Sequence, residues 1–361
     1  MAVAYHNRHK FNVIEAFFKG NKLNRLYVGK ELSPWKLKDE SGGGGVLSYY
    51  GQATALSEAR YNLVGASVGN YALFAGTGLD RGSNIVDAYN SNLTRITPTV
   101  LSKARARLAG ASVGNYALFA GGYFNNGYTN IVDAYDSNLT RTTPTVLSRV
   151  REKLTGVNVG NYALFAGGGD SRGLNTVDAY DSNLTRTTPT VLSSARYSPA
   201  GASVGNYALF AGGYFNNGYT NIVDAYNSNL TRTTPAVLSK GRAELTGASV
   251  GNYALFAGGF INRNDSNIVD AYDSNLTRTT PTALSEARRS LAGASVGNYA
   301  LFVGGYPTTD IVDAYDSNLT KTTPTVLSSA RFGLAGASVG NYALFAGGYP
   351  ITDTVDVYQV A

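Results

Sequence analysis

Hydrophobic and polar positions along the chain follow one pattern that recurs seven times. Its most regular part is the string Gly-Asn-Tyr-Ala-Leu-Phe, which repeats at spacings of 45, 46, 45, 46, 46 and 43 residues and begins at Gly69, Gly114, Gly160, Gly205, Gly251, Gly297 and Gly340. Self-similarity at this period is typical of repeat folds in which each unit is one supersecondary element. We therefore expect a single repeat architecture over about residues 52–358.

One complete unit, residues 108–151, divides into four pieces of strand length. The pattern predicts strand a at 108–113 (LAGASV), strand b at 116–122 (YALFAGG), strand c at 130–135 (NIVDAY) and strand d at 142–148 (TTPTVLS). Strand b is apolar at nearly every position, which is typical of a strand covered on both faces. Strand a is built from Ala, Gly and Ser, side chains that fit the crowded axis of a radial array. We therefore predict four-stranded blades with strand a innermost and strand d outermost.

Turn residues separate these strands. Gly114-Asn115 is a two-residue connection with Gly where a type II′ turn needs positive φ. Asp136-Ser137-Asn138 favours a turn because its side chains can bond their own backbone. The unit is thus predicted to be an antiparallel meander.

The two ends of the repeat region are complementary. Residues 52–57 (QATALS) match a strand d and precede the first strand a, whereas the last unit stops after its strand c at 354–359 (TVDVYQ). The first strand can supply what the last blade lacks, which leaves no unpaired edge between them. The predicted fold is therefore all-β: a seven-bladed β-propeller closed three-plus-one by an N-terminal strand, with a short N-terminal extension. The expected domains are a basic N-terminal anchor with a Gly linker (1–45) and the propeller (46–361).

Composition supports a turn-rich β protein. The chain has 42 Gly, 26 Tyr, 15% charged residues and no Cys. Helical repeats of similar period are disfavoured by this content of Gly, Asn, Thr, Tyr and Val. The lack of cysteine excludes disulfides and thiolate metal sites.

The repeat resembles the kelch motif. Arg before a small-residue strand, an aromatic strand ending in Gly-Gly, and Val-x-x-Tyr before a polar turn carry the resemblance over about residues 52–358. Leu147 and its equivalents stand where kelch repeats have Trp, and Gly76-Thr77-Gly78 replaces the Gly-Gly pair in blade one. The near-identical units are similar to kelch-like proteins of Gram-positive bacteria and their phages, of the tail, baseplate or receptor-binding type.

Differences among the seven units gather in two places: the b–c loop after Gly-Gly, and the two residues after the repeated Arg in the d–a linker. In an antiparallel meander both lie at one end of the blade, which we call the varied face. The a–b and c–d turns form the other end, the uniform face. Drift of surface loops is the alternative explanation, but the turns of the uniform face have not drifted. The aromatic and polar content resembles an adaptable binding surface, and the kelch resemblance implies that ligands bind this loop face. The candidate ligand-binding residues are Tyr61, Asp80, Arg81, Arg107, Tyr123, Phe124, Tyr128, Arg172, Tyr197, Tyr214, Phe215, Tyr219, Phe260, Arg263, Arg289, Tyr306, Phe332 and Tyr349.

The Asp of VDAY and the Arg of Ser-x-x-Arg occur in every unit, so they cannot mark one active site. We expect structural roles for them. His, Cys and Met are absent from residues 46–361, so histidine catalysis and histidine-bound metals are excluded within the propeller. Carboxylates of the varied face, such as Glu152 with Asp170, leave a glycosidase conceivable. We expect no catalytic residues, no metal and no cofactor.

The first 40 residues differ in kind. They hold His6, His9, the single Trp35, and eight Lys/Arg against four Asp/Glu, whereas the remainder has 22 against 20. Residues 22–38 predict a strand, a turn and a second strand, too small to fold stably alone. This segment resembles the hairpins of phage tail and baseplate proteins, so residues 1–45, with Tyr27 and Trp35, are the expected anchor to a particle or baseplate partner.

The function expected from these features is non-enzymatic binding or adhesion. A virion, prophage or phage-tail-like particle would carry the chain, either as a monomer or as a homo-oligomer. The varied face would bind a host-surface glycan or protein. We expect synthesis in the cytoplasm without a signal peptide, no membrane insertion and, because the propeller is nearly neutral, no nucleic-acid binding. The alternatives are an intracellular kelch-type protein–protein scaffold and a sugar-acting enzyme.

Overall fold

A computed structural model describes residues 45–79, 81–215 and 218–361, together with the backbone of four short strands before residue 23. The chain divides into two compact units, Met1–Gly44 and Gly45–Ala361. In the first unit the strands pair antiparallel, Ala2–His6 with His9–Val13 and Phe17–Phe18 with Asn21–Lys22. The hairpin expected at 22–38, with Tyr27 and Trp35, lies outside the described residues.

The second unit is a seven-bladed β-propeller, as predicted. Each blade is a four-stranded antiparallel sheet in the order a-b-c-d. The a strands are Val64–Val68, Ala109–Val113, Thr155–Val159, Ala200–Val204, Thr246–Val250, Ala292–Val296 and Ala335–Val339. The b strands are Tyr71–Ala75, Tyr116–Ala120, Tyr162–Ala166, Tyr207–Ala211, Tyr253–Ala257, Tyr299–Val303 and Tyr342–Ala346.

The outer strands complete the blades. The c strands are Val86–Asn90, Val132–Asp136, Val177–Asp181, Val223–Asn227, Val269–Asp273, Val312–Asp316 and Val355–Val360. The d strands are Arg95–Ile96, Arg141–Thr142, Arg186–Thr187, Arg232–Thr233, Arg278–Thr279, Lys321–Thr322 and, for blade 7, Leu47–Gln52. No helix among the described residues is long and apolar enough to span a membrane.

Strand a lies innermost, as its small side chains predict. The seven a strands line a cavity of about 240 Å³ with Gly-Ala-Ser, or Gly-Val-Asn in blade 3. Neighbouring strands approach so closely that a Cβ on Gly156 would lie 2.3 Å from the backbone oxygen of Gly110. Only glycine fits this position, because any side chain would push adjacent blades apart.

Strand b forms the core between blades. Its last four residues are buried in every blade, which confirms that both faces are covered. In a typical layer, Leu118 of blade 2 packs with Phe165 and Tyr180 of blade 3. A Phe of strand b meets a Tyr of strand c edge to face inside each blade, for example Phe119 and Tyr135 with ring centroids 6.0 Å apart. Such pairs add to the stabilisation from apolar burial.

Hydroxyl groups join each blade to the one before it. Tyr135 in strand c of blade 2 donates a hydrogen bond to the backbone oxygen of Thr99 in the preceding linker, at 2.8 Å. Equivalent bonds are present in all seven blades, and that of Tyr89 to Thr54 joins blade 1 to blade 7. Burial is the main cause that raises the pKa of these tyrosines, so they remain neutral donors.

The turns of the uniform face form as the sequence predicts. Gly114 has a φ of 51°. Asp136 Oδ1 accepts hydrogen bonds from the backbone N–H groups of Asn138 (2.9 Å) and Thr140 (2.8 Å). Leu139, rather than an Asn, takes the left-handed conformation at φ 62°, because its side chain packs against the core between blades 1 and 2.

The predicted extent of strand d was wrong. Regular pairing covers Arg141–Thr142 only, not residues 142–148. Pro144 follows and has no N–H to continue the ladder. The segment then turns inward, where the Leu147 N–H bonds the Asn130 oxygen at 2.8 Å and its side chain is buried. Leu147 and its equivalents thus contribute to the core rather than to an outer strand.

The three-plus-one closure is confirmed, but its strand lies earlier than expected. Leu47–Gln52, not residues 52–57, pairs with Val355–Val360, with a register shift between Val357 and Tyr358. This stretch has no Pro, so a six-residue ladder can form. It places Tyr49 where other blades carry Arg or Lys.

Candidate functional site

A buried ion pair attaches each d–a linker to the blade it enters. In blade 3, Arg151 donates to Asp178 Oδ2 at 2.7 Å and to the backbone oxygens of Thr176 (2.7 Å) and Phe165 (3.1 Å). Burial lowers the pKa of Arg151 to about 10, and Asp178 opposes that shift. The guanidinium therefore stays charged at neutral pH. The same pair occurs in all seven blades, which confirms the expected structural role, and involves Arg60–Asp87, Arg105–Asp133, Arg151–Asp178, Arg196–Asp224, Arg242–Asp270, Arg288–Asp313 and Arg331–Asp356.

A second group reaches each of these aspartates from strand d. In blade 5, Arg278 lies 2.8 Å from Asp270 Oδ1. In blade 7, Tyr49 replaces the cation and donates its hydroxyl to Asp356 at 2.7 Å. Burial, followed by the bond to Asp356, raises the pKa of Tyr49 to about 12. The closing strand therefore keeps the hydrogen bond while carrying no charge.

The anchored arginine places the next residue beside the b–c loop. In six blades, the residue after the Arg forms a backbone bridge with a residue just after the Gly-Gly position, for example Tyr197 with Tyr214 and Arg289 with Tyr306. In blade 1, the Gly78 N–H bonds the Tyr61 oxygen at 2.6 Å. The two varied segments therefore lie side by side at one end of every blade.

The second varied residue of each linker has a left-handed backbone. The seven φ values range from 47° to 62°, at Asn62, Arg107, Lys153, Ser198, Glu244, Ser290 and Gly333. Backbone bonds link several of them from blade to blade: Lys153 N–H to the Arg107 oxygen (3.0 Å), Ser198 N–H to Lys153 (2.9 Å) and Gly333 N–H to Ser290 (3.0 Å). We call these seven residues the mouth ring. A left-handed residue other than Gly or Asn costs about 1–2 kcal/mol. Five of the seven positions, all but Asn62 and Gly333, therefore carry strain that Gly would relieve.

The described candidate residues all lie at this end, half-buried or exposed, and none is fully buried. Asp80 lies outside the described residues. The most exposed aromatic members are Tyr128 and Tyr214 (36% each), Tyr306 (41%) and Tyr349 (46%). The sequence therefore identified which residues face outward, but not which of them touch.

Seven of these aromatic rings form two runs joined by one arginine, which we call the aromatic arc. The first run has three rings and the second has four, and neighbouring centroids within a run lie 5.2–5.9 Å apart. The guanidinium of Arg289 joins the two runs, at 4.3 Å from the Phe260 centroid and 4.4 Å from that of Tyr306. The arc crosses blades 4 to 7 and ends at blade 1, and consists of Tyr214, Tyr219, Phe260, Tyr306, Phe332, Tyr349 and Tyr61.

Carboxylates hold the cation of the arc in place. Arg289 lies 2.8 Å from Asp265 and 3.4 Å from Glu244. Neither carboxylate was a candidate in the sequence, although Glu244 follows a repeated Arg by two positions. Their pairing with Arg289 depends on contact between blades, which spacing along one chain does not show.

Blades 2 and 3 carry a second group of aromatic and charged residues. Tyr123 and Tyr128 lie on the two strands of a hairpin in the b–c loop of blade 2, with centroids 5.6 Å apart. Arg107 lies 5.3 Å from the Tyr123 centroid and 3.0 Å from Glu152. Burial raises the pKa of Tyr128, and Glu152 adds to the shift. Related hairpins in blades 4 and 5 pair Tyr214–Phe215 with Gly218–Tyr219 and Phe260–Ile261 with Asn264–Asp265.

Charge is divided unevenly over the varied face. From the b–c loop of blade 1 to that of blade 3, leaving out the arginines paired with strand c, six cations outnumber three carboxylates. The carboxylates are Asp80, Glu152 and Asp170, and the cations are Arg81, Lys103, Arg107, Arg149, Lys153 and Arg172. We call this region the basic sector. Lys103, Arg149 and Lys153 were not among the candidates, although they adjoin the repeated arginines in sequence. In the other loops and linkers, acids outnumber cations by six to three. The cations are Lys240, Arg263 and Arg289, and the acids are Glu58, Glu244, Asp265, Glu286, Asp310 and Asp353.

Within the described part of the chain no group of three His, Cys, Asp or Glu side chains is placed to hold a metal ion. The two carboxylates of the Glu152–Asp170 pair are already engaged by arginines. Each carboxylate is matched to an arginine, Glu152 to Arg107 at 3.0 Å and Asp170 to Arg149 at 3.4 Å. Although burial raises the pKa of Asp170, bonds from the N–H groups of Ser171 and Arg172 and from Arg149 lower it overall. A general acid needs the opposite shift.

No protein-family model matches the sequence, and no curated protein matches it. Among solved structures, 788 chains match the fold. One, titled "Structure of YjhT", has a TM-score of 0.59, covers 76% of this chain and 99% of its own, and is 12% identical in sequence. At this identity the likeness supports the propeller fold alone.

Proposed function

We propose that the chain is a non-enzymatic binding module that engages a host-surface glycan or protein through its varied face. The observation that carries the proposal is the aromatic arc: rings from five blades meet in one series and keep exposed surface. Aromatic side chains supply large contact area at low cost in conformational entropy, and they dominate many binding surfaces.

The mouth ring supports selection of these side chains over drift. Gly is the unstrained choice at a left-handed position, yet Arg107, Lys153 and Glu244 stand there. Strain kept at solvent-facing positions is typical of functional sites. Drift alone gives no reason to keep long charged side chains at three left-handed positions.

We further propose that a virion, prophage or phage-tail-like particle carries the propeller, with residues 1–45 as its anchor. Support comes from the resemblance of the repeats to kelch-like proteins of Gram-positive bacteria and their phages. The separate compact unit Met1–Gly44 is compatible with a docking role.

The test removes the exposed tyrosines of the arc. Substituting Ala for Tyr214, Tyr306 and Tyr349 should weaken binding of labelled protein to a panel of Gram-positive cells about tenfold or more, because a lost anchor costs upwards of about 1.4 kcal/mol. Tyr50→Ala is the matched control. Tyr50 is 51% exposed and packs on Tyr342 at the uniform end, so binding should not change. Equal binding by the triple variant and wild type would reject the varied face as the binding surface.

A further inference from the structure

The basic sector and the arc place two kinds of chemistry on one face. In the basic sector the six cations exceed the three carboxylates by three, whereas the remaining loops and linkers carry an excess of three carboxylates. Nearly equal totals for the whole propeller hide this separation. Clustered charge of one sign concentrates ligands of the opposite sign and speeds their association.

Contacts hold the basic sector together across three blades. Lys103 lies 5.0 Å from the Phe124 centroid, and Arg107 lies over Tyr123. The Lys153 N–H bonds the Arg107 oxygen at 3.0 Å. In the b–c loop of blade 1, Ser83, two residues after Arg81, bridges Arg105 in the linker that carries Lys103.

Three carboxylates do not neutralise the six cations of the sector. Glu152 pairs with Arg107 and Asp170 pairs with Arg149, so each of these carboxylates neutralises one cation. Arg81, Lys103, Lys153 and Arg172 are all exposed. Apart from Glu58, in the linker that enters blade 1, the acids outside the sector lie in the loops and linkers of blades 5 to 7.

We propose that the ligand of the varied face is an anionic glycan, whose carboxylate or phosphate groups lie on the basic sector and whose sugar rings lie on the neighbouring aromatic side chains. This inference rests on the proposed function and narrows its ligand class. The interleaving of Lys103 with Phe124 and of Arg107 with Tyr123 supplies an anion-binding cation and an apolar ring at the same spot. The acidic loops and linkers of blades 5 to 7 disfavour a long, uniformly charged chain such as a nucleic acid, which would have to cross them.

The experiment measures affinity of the full chain for defined probes by titration calorimetry at about 20 and 150 mM salt. The carboxylate arm compares oligogalacturonate with its methyl ester, and the phosphate arm compares phosphorylated dextran with dextran. An oligothymidylate of similar length tests nucleic acid. We expect at least one anionic probe to bind tenfold or more tighter than its neutral partner, and to weaken as salt rises.

Substitutions test whether the basic sector is the site of anionic binding. The quadruple substitution Arg81→Gln, Lys103→Gln, Lys153→Gln and Arg172→Gln should weaken anionic binding tenfold or more. Lys103 and Lys240 occupy the same repeat position in opposite sectors. Lys103→Gln should therefore weaken binding measurably, whereas Lys240→Gln should leave it unchanged.

The inference would be overturned by equal affinity for charged and neutral partners, by affinity that the quadruple variant retains, or by tighter binding of oligothymidylate than of either glycan. Absence of binding to both anionic probes has the same consequence. The proposed function survives each of these results if cell binding still depends on Tyr214, Tyr306 and Tyr349. The two experiments therefore distinguish a wrong ligand class from a wrong binding surface.

Discussion

The mouth ring shows how single residues on this protein trade stability for side-chain chemistry. Lys153 has a φ of 54° and an exposed side chain, and its N–H bonds the Arg107 oxygen. The equivalent residue of blade 7 is Gly333, which takes φ 62° without strain. The sequence marked this position as varied. It did not show the left-handed backbone. A Gly in every unit would have indicated positive φ, but Asn, Arg, Lys, Ser and Glu occupy the other six positions and share no preference for that conformation.

Lys153→Gly should therefore stabilise the propeller by about 0.5–1 kcal/mol, since relief of left-handed strain exceeds the entropy that Gly gains in the unfolded chain. Guanidinium chloride unfolding measures the change. Lys240→Gly is the control, at an exposed linker position without positive φ, and should be neutral or slightly destabilising. A Lys153→Gly variant less stable than the control would show that the position is not strained.

At the scale of elements, the strands a to c were predictable because each carries its own local signal. Strand b is apolar throughout, strand a is small, and Gly114 and Asp136 specify the turns. Strand d was misjudged because residues 142–148 look extended in sequence, whereas Pro144 ends the ladder and Leu147 turns into the core. The closing strand was predicted but placed too late, at 52–57 instead of Leu47–Gln52, since its partner lies about 300 residues away.

Deleting residues 1–52 should expose the edge of Val355–Val360 and lower the melting temperature by several degrees, with aggregation on heating, because an unpaired strand edge templates association. Deletion of 1–45 keeps the closing strand and serves as the control. Thermal unfolding followed by circular dichroism and light scattering compares the two. Identical melting of both proteins would mean that the ring does not depend on this strand.

For the whole molecule, seven similar blades produce a disc whose two faces differ. The uniform face repeats the same turns, whereas the varied face combines the aromatic arc and the basic sector. Residues 1–45 are the proposed link to a particle. The structure divides the chain close to that boundary, at Gly44–Gly45.

A chain lacking residues 1–45 should keep its melting temperature and its binding to cells, yet be lost from purified particles. Immunoblots of particles assembled with either form of the protein measure incorporation. The two readouts separate anchoring from folding, because the closing strand remains. Particles that retain the shortened chain would contradict the anchor role.

The sequence by itself determined the number of blades, the order of strands a to c, the closure of the ring and the end of the disc that varies. These follow from local patterns repeated at fixed spacing, which act through short-range backbone and burial preferences. Only the tertiary structure decided which residues meet. The aromatic arc, the pairing of Arg289 with Asp265 and Glu244, and the replacement of an arginine by Tyr49 all join different blades or distant ends of the chain. Contacts of that kind depend on how blades pack around the axis, and a repeat that looks the same in every unit carries no local signal for them.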